Sequence, residues 1–387
     1  MDTVISYVTS LSASQVIAWI MAIFSIVGAV DCIFGSRLGL GKEFERGMML
    51  LGTMALSMVG MIIISPLIAE LLRPMLVKIA EVLPFDPSIV PASLFANDMG
   101  GAPLSEELAM NADIGYFNGL VVSSMMGCTI SFTIPVALGI VKKEQHREVL
   151  LGLLCGIVTI PVGCFFGGLV MGIGIVALLL DLLPLVLFSG IIAFGLMKFP
   201  DVCVKIFNVF GVIIKILITA GLALGVFMFL TKLPIDQYVK VDTYMEGIEV
   251  VANASAVMTG AFPLVYLISK LLKKPLCALG RKMKINDIAA TGLVSTLATS
   301  MTTFDMIQHM DKKGVVLNSA FAVSAAFTFA GHLAYTLAFR AECLPAVIVA
   351  KLIAGVLALI MAVIIYGRIY KKEETTEEAV AETAPKA

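Results

Sequence analysis

Charge is scarce in this sequence. Lys, Arg, Asp and Glu make up 14% of its 387 residues, where soluble globular chains carry roughly 25%. That deficit, with 59% hydrophobic residues and a mean hydropathy of +1.00, excludes an ordinary soluble domain. The net charge is −1 and no basic face of the kind that binds phosphates is visible, which removes nucleic acid from the partners. The seven cysteines (32, 128, 155, 164, 203, 277 and 343) include no CxxC pair and mostly lie in apolar runs, so they read as buried thiols. No Lys or Arg precedes the first apolar run, and no cleaved signal peptide is expected. Missing too are HExxH, GxSxG, a metal-spaced His/Cys cluster and the nucleotide loop GxxxxGK[ST]. The chain therefore reads as neither an enzyme nor a nucleotide-driven pump, with no cofactor and no metal.

What is present is apolar sequence in repeated runs of about 20 residues, each enough to cross a hydrocarbon core about 30 Å thick. Nine spans are expected near 14–33, 47–72, 114–141, 148–172, 177–197, 206–230, 248–270, 315–339 and 344–367. The fold class is an all-α polytopic membrane protein, one transmembrane domain over 1–367 embedded in a lipid bilayer. The tail, 368–387, is polar and acidic and reads as disordered. Basic residues cluster after every odd span: Arg37, Lys42 and Arg46; Lys142, Lys143 and Arg147; Lys198 and Lys205; Lys273 through Lys284; Arg368, Lys371 and Lys372. Since cytoplasmic loops retain Lys and Arg, the N-terminus is expected outside and the C-terminus in the cytoplasm. Arg73, Lys78, Lys232 and Lys240 form the minority on the outer side.

The two halves resemble each other weakly. A shift of 200 residues sets Gly47 against Gly247, Met58 against Met258 and Gly60 against Gly260. Shifts of 201 and 202 set the third span on the eighth and "FANDM" (95–99) on "LATSM" (297–301). In the expected topology the paired helices run in opposite directions. Two inverted repeats (14–172 and 206–367) joined by a linking helix (177–197) are thus expected, an architecture of secondary transporters with the substrate site near the midplane.

Each half carries one segment too polar for a span, 86–110 and 285–310. Irregular backbone at membrane depth is tolerated only when it is buried in protein or lines a wet cavity. Gly100 and Gly101 permit a reversal, and Pro91 and Pro103 interrupt helix on either side of it. The reading is a pair of re-entrant hairpins, the first with Asn97, Asp98, Gly100 and Gly101 at its tip and the second with Thr299 and Ser300. The alternative is an external loop lying on the membrane. An intramembrane Asp98 needs a partner: a substrate cation, a proton, or a structural pair with Lys215, read as the basic residue deep in a span. The third span adds Thr129, Ser131 and Thr133 around Pro135; the eighth adds Asn318, Ser319, Ser324, His332 and Tyr335, with His332 opposite Ser131 in the repeat. Such hydroxyls often serve only packing and backbone bonds. Asp31 reads as interfacial, and Glu106, Glu107 and Asp113 as a solvated rim.

The strings "ANDMGG" (96–101), "TISFTIPVALGIV" (129–141), "GIVTIPVGCFFGGL" (156–169) and "NSAFAVSAAFTFAGHLAY" (318–335) resemble the bacterial ethanolamine permease family, over nearly the whole of 15–367. The resemblance implies inner-membrane uptake of ethanolamine or a similar small amino alcohol. It departs from the family at Gly331, where an acidic residue precedes the histidine, and at Thr299 and Ser300, where the family has paired asparagines. On this reading Asp98 takes the ammonium group, with an aromatic face from Phe132, Phe304, Phe327 or Tyr335. Asn97, Ser131 or Thr299 takes the hydroxyl. The other reading is a carrier of a small anion or carboxylate using hairpin-tip hydroxyls and helix N-termini. A homo-oligomer is compatible with the sequence.

Overall fold

The computed structural model describes residues 11–82, 84–233 and 240–383, and among these every regular element is helical. The first ten residues and the last four of the acidic tail lie outside the described residues. In chain order the helices are α1 (Ala13–Ile33), α2 (Leu40–Val82), α3 (Ile89–Leu94), α4 (Gly101–Leu108), α5 (Ala112–Ile140), α6 (His146–Ile157) and α7 (Ile160–Val170). There follow α8 (Ile175–Lys198), α9 (Pro200–Thr231), α10 (Thr243–Met283), α11 (Asp287–Ala298), α12 (Ser300–Met306), α13 (Lys312–Ala325), α14 (Gly331–Arg340) and α15 (Leu344–Thr383). The backbone of α15 thus continues into the acidic stretch 368–387 beyond its apolar part, which ends at Ile369.

Eight helical segments among the described residues are long and apolar enough to cross a membrane, one fewer than the sequence suggests. The expected span 315–339 is the exception. It divides into α13 and α14, because the backbone leaves the helix at 326–330, where Phe327 adopts a φ of +61°. The flanks of the bundle carry the apolar residues that the core does not need: Ile33 is 79% exposed, Leu187 61% and Ile216 62%. Apolar faces this extensive require a nonaqueous surround. The protein is a multi-pass, all-α membrane protein.

Two long helices, α2 and α10, pack along each other, with α9 against α2 and α1 against α10. Small residues set these crossings. A Cβ on Gly60 would meet the Ile218 carbonyl of α9, and one on Gly260 the Met21 carbonyl of α1. The central contact is reciprocal as well: Gly47 lies on the backbone of Met258 and Thr259, while Gly247 lies on Val59. These are the pairs that a 200-residue shift exchanges.

Around the middle lie two almost wholly buried helices. Residues Phe117–Gly127 of α5 are all buried, as are those of α13 from Gly314 to Ala325. Most of α5 (Phe117–Gly127 and Thr129–Thr133) is wound as a π-helix, a form found in short pieces and often at functional sites. Against each buried helix rests a helix–break–helix segment, α3–α4 on α5 and α11–α12 beside α13. An aspartate closes the base of each. Asp86 Oδ2 accepts the amides of Met110 (2.9 Å) and Asn111 (3.0 Å), and Asp311 Oδ1 accepts that of Asn286 (2.8 Å).

Candidate functional site

The break between α3 and α4 is built by its sequence. Pro91 and Pro103 sit early in short helices, and Gly100 takes a φ of +109°, a left-handed conformation that a side chain strains. The chain reverses there and forms one 3₁₀ turn, Asn97–Met99. The amide of Gly101 returns to the Ala96 carbonyl at 2.8 Å. A Cβ on Gly127 would strike the Phe95 carbonyl, so glycine in α5 lets the tip approach closely.

Two serines of α5 then hold the tip. Ser123 Oγ donates to the Phe95 carbonyl (2.6 Å), and Ser131 Oγ accepts the Ala96 amide (3.1 Å) while donating to the Gly127 carbonyl (2.7 Å). Thr129 Oγ1 is spent on the carbonyls of Met125 (2.7 Å) and Val323 (3.2 Å), which ties α5 to α13. Of the expected site residues, Ser131 and Thr129 are therefore committed to backbone. Both carbonyl-side and amide-side atoms of Asn97 are buried without a partner, and the side chain is wholly inaccessible. Asp98 beside it is half-buried and makes no salt bridge among the described residues.

The second break is organised differently. Thr299 caps α12 through its side chain, accepting the Met301 amide at 3.3 Å, and Ser300 Oγ is buried without a partner. Here backbone does what the two serines do in the first half. The unwound residues donate Phe327 N to the Thr296 carbonyl (3.2 Å) and Phe329 N to the Leu297 carbonyl (3.0 Å). This explains how the chain can leave the helix within the protein: the amides of the unwound residues beyond α13 find carbonyls at the end of α11.

Just past the unwound stretch, α14 reaches the 3₁₀ tip and carries His332 and Tyr335. Both are almost fully buried; Tyr335 stacks on Phe339 (5.4 Å), and His332 packs on Phe327 (5.2 Å), which in turn meets Phe132 edge-on (5.6 Å). Phe304 is buried in α12. The residue that sequence reasoning missed is Lys351 of α15. It is 1% exposed, and its Nζ donates to the Ser124 carbonyl (2.8 Å) and contacts His332 Nδ1 (3.1 Å). Asp98 and the thiols of Cys128 and Cys164 lie within its electrostatic reach. The signal was legible: "AVIVAKLIAG" (346–355) puts one lysine in the middle of an apolar span. Lys215, read as the deep basic residue, is exposed on the flank of α9 and pairs with nothing at the tip. Position around the helix decides this, since its neighbours Ile214 and Ile218 take the inward face.

Asp31 is structural. Its carboxylate accepts the amides of Leu38 (2.9 Å) and Gly41 (2.8 Å), closing the turn into α2. Glu106, Glu107 and Asp113 are exposed. Two clefts flank the α2–α10 pair. One, about 290 Å³, is lined by Pro103, Glu106 and Glu107 of α4 with Ser65, Glu246 and Phe339. The other, about 180 Å³, is lined by Ser295, Ala298, Thr299 and Thr302 with Glu43 and Arg46. Each cleft thus touches one of the two interrupted segments.

A family profile described as "Ethanolamine utilisation protein, EutH" matches residues 13–365. The chain is 43% identical over 341 residues to the probable ethanolamine permease EutH of Listeria monocytogenes, covering 88% of this chain and 91% of that one. It is 37% identical to the protein of the same description from Escherichia coli K12, with 88% and 92% covered. An uncharacterized protein, YxeR, of Bacillus subtilis is 36% identical over the same shares of the two chains. No solved structure matches. The profile and the full-length relatives agree, and the chain belongs to the EutH ethanolamine utilisation family.

Proposed function

We propose that this protein is a permease that carries ethanolamine, or a similar small amino alcohol, across the bacterial inner membrane. Two relatives that it matches over more than nine-tenths of their length are described as probable ethanolamine permeases. The observation that carries the reading is the tip Asn97–Asp98: among the described residues, a carboxylate without a salt bridge beside a buried amide whose two polar atoms have no partner. Buried polar groups are nearly always satisfied, so uncommitted ones beside a carboxylate fit a small ligand with an ammonium and a hydroxyl.

In this reading α3–α4 and α11–α12 are re-entrant hairpins of two inverted repeats. The matching contacts of Gly47 on Met258 and Thr259 and of Gly247 on Val59, with Gly60 against α9 and Gly260 against α1, support it. The positive-inside pattern puts the N-terminus outside and the C-terminus in the cytoplasm. The cleft with Glu106, Glu107, Glu246 and Lys240, acidic on balance, then faces outward and draws cations toward the tip, and the cleft with Thr299 faces the cytoplasm. Asp98 takes the ammonium. Phe132 and Phe327, already in contact, offer it an aromatic face. The carboxylate alone is costly at membrane depth, so a bound cation and an inward-facing Asp98 favour each other.

Buried Lys351 is the observation that favours the second reading, a carrier of a small carboxylate. Uptake of labelled ethanolamine into vesicles holding the purified protein tests the two. Ethanolamine movement inhibited by unlabelled ethanolamine and not by short carboxylates supports the permease. Carboxylate movement without ethanolamine movement overturns it.

A further inference from the structure

Lys351 is an odd resident of a cation site, because a buried ammonium needs either a counter-ion or a full set of acceptors. Its two bonded partners are neutral: a backbone carbonyl and an imidazole nitrogen. An ammonium carries three donors and no acceptor. At 3.1 Å from His332 Nδ1 it must therefore donate, which leaves Nδ1 bare and requires the ring proton on Nε2. Nε2 makes no hydrogen bond among the described residues. Phe327 packs against the ring at 5.2 Å, and the backbone amide of His332 is tied to the Phe327 carbonyl at 3.2 Å. His332 is thus a neutral, oriented donor on a helix that meets the Asn97–Met99 turn.

We propose that Lys351 is a positioning residue that holds His332 as an Nε2–H donor for the hydroxyl oxygen of an amino-alcohol substrate, and so selects an amino alcohol over a plain amine. The inference rests on the permease reading. In it the two ends of the substrate are divided: Asp98 takes the ammonium, and His332 Nε2–H takes the hydroxyl. Lys351 touches neither. Its bond keeps Nδ1 from being the protonated nitrogen. A site built to bond a hydroxyl rejects the analogue that lacks it, because a buried donor is then left unpaired.

Two measurements test this. The chain has three histidines, His146, His309 and His332, so ¹⁵N-histidine spectra of the whole protein in bilayers resolve the ring, with the signal assigned by its loss in His332→Gln. The expected spectrum is a neutral ring protonated at Nε2. A ring protonated at Nδ1, or at both nitrogens, overturns the proposal whatever the protein carries. The second measurement compares ethylamine with unlabelled ethanolamine as competitors of labelled ethanolamine uptake. Wild type should favour ethanolamine by about tenfold or more, and Lys351→Met by less than about threefold. A glutamine amide needs no tautomer, so the double variant Lys351→Met/His332→Gln should regain discrimination. If Lys351→Met keeps the wild-type ratio while uptake falls for both amines, the lysine is merely structural and the inference fails, with the permease reading intact. Absence of ethanolamine uptake in wild type removes both. Should Lys351→Met fail to fold, the wild-type spectrum decides alone.

Discussion

Asn118 and Asn318 make corresponding bonds from corresponding places. Asn118 Nδ2, on α5, donates to Ser88 Oγ at the start of α3 (2.9 Å); Asn318 Nδ2, on α13, donates to the Ala289 carbonyl near the start of α11 (2.9 Å). In both residues Oδ1 is buried without a partner. Each asparagine ties the first helix of an interrupted segment to the buried helix that follows it. Neither bond reaches a candidate ligand group, so both belong to the frame.

Asn118→Ala and Asn318→Ala should each lower stability by a similar amount, on the order of 1–2 kcal/mol for a lost buried hydrogen bond. Thermal unfolding of the purified variants in the same detergent measures it. A large loss in one variant with none in the other would break the correspondence.

The helix crossings give a second pair. Gly60→Ala presses on the Ile218 carbonyl and Gly260→Ala on that of Met21, both backbone atoms that cannot swing aside. Each substitution should destabilise by about 1–3 kcal/mol, read again as a lowered melting temperature. Gly190→Ala, where an added Cβ meets nothing, is the control and should melt like wild type.

Much of this frame was legible in the residues and some was not. Gly100, Gly101, Pro91 and Pro103 announce the first break, because each restricts or frees backbone in a known way. The second break at Thr299 has no such residue at its turn, and the polarity of 285–310 and the repeat locate it. The unwinding at 326–330 is invisible in "AAFTFA", whose residues are ordinary helix formers in lipid; it depends on carbonyls at the end of α11 that only tertiary packing supplies. The π-winding of α5 is invisible for a related reason, since the same composition serves either helix. Thr129 and Ser131 read from the sequence as midspan hydroxyls, yet sequence cannot show that one ties α5 to α13 and the other holds the Ala96 amide. Lys351 was readable as a lone charge in an apolar run, but not its bond to a histidine 19 positions away.

The acidic rim offers a graded test. Glu106→Gln with Glu107→Gln should slow uptake by about two- to threefold at low substrate and low ionic strength, with little change at saturation. The deficit should shrink as salt rises, since exposed charges act through a screened field. A salt-independent loss would place these side chains at the site itself.

Orientation is checked by fusions at the C-terminus. The positive-inside pattern predicts a fluorescent green-protein fusion that matures in the cytoplasm and an alkaline phosphatase fusion that stays inactive. An active phosphatase would exchange the outer and inner clefts in the account.

The central claim is that Asp98 binds the ammonium group during transport. The direct measurement is labelled ethanolamine uptake into vesicles reconstituted with equal amounts of wild type and Asp98→Asn, with insertion and melting temperature matched. Asparagine keeps the shape of the tip and removes its charge. The account predicts uptake in wild type and, in the variant, none above empty vesicles; wild-type rates in Asp98→Asn would contradict it.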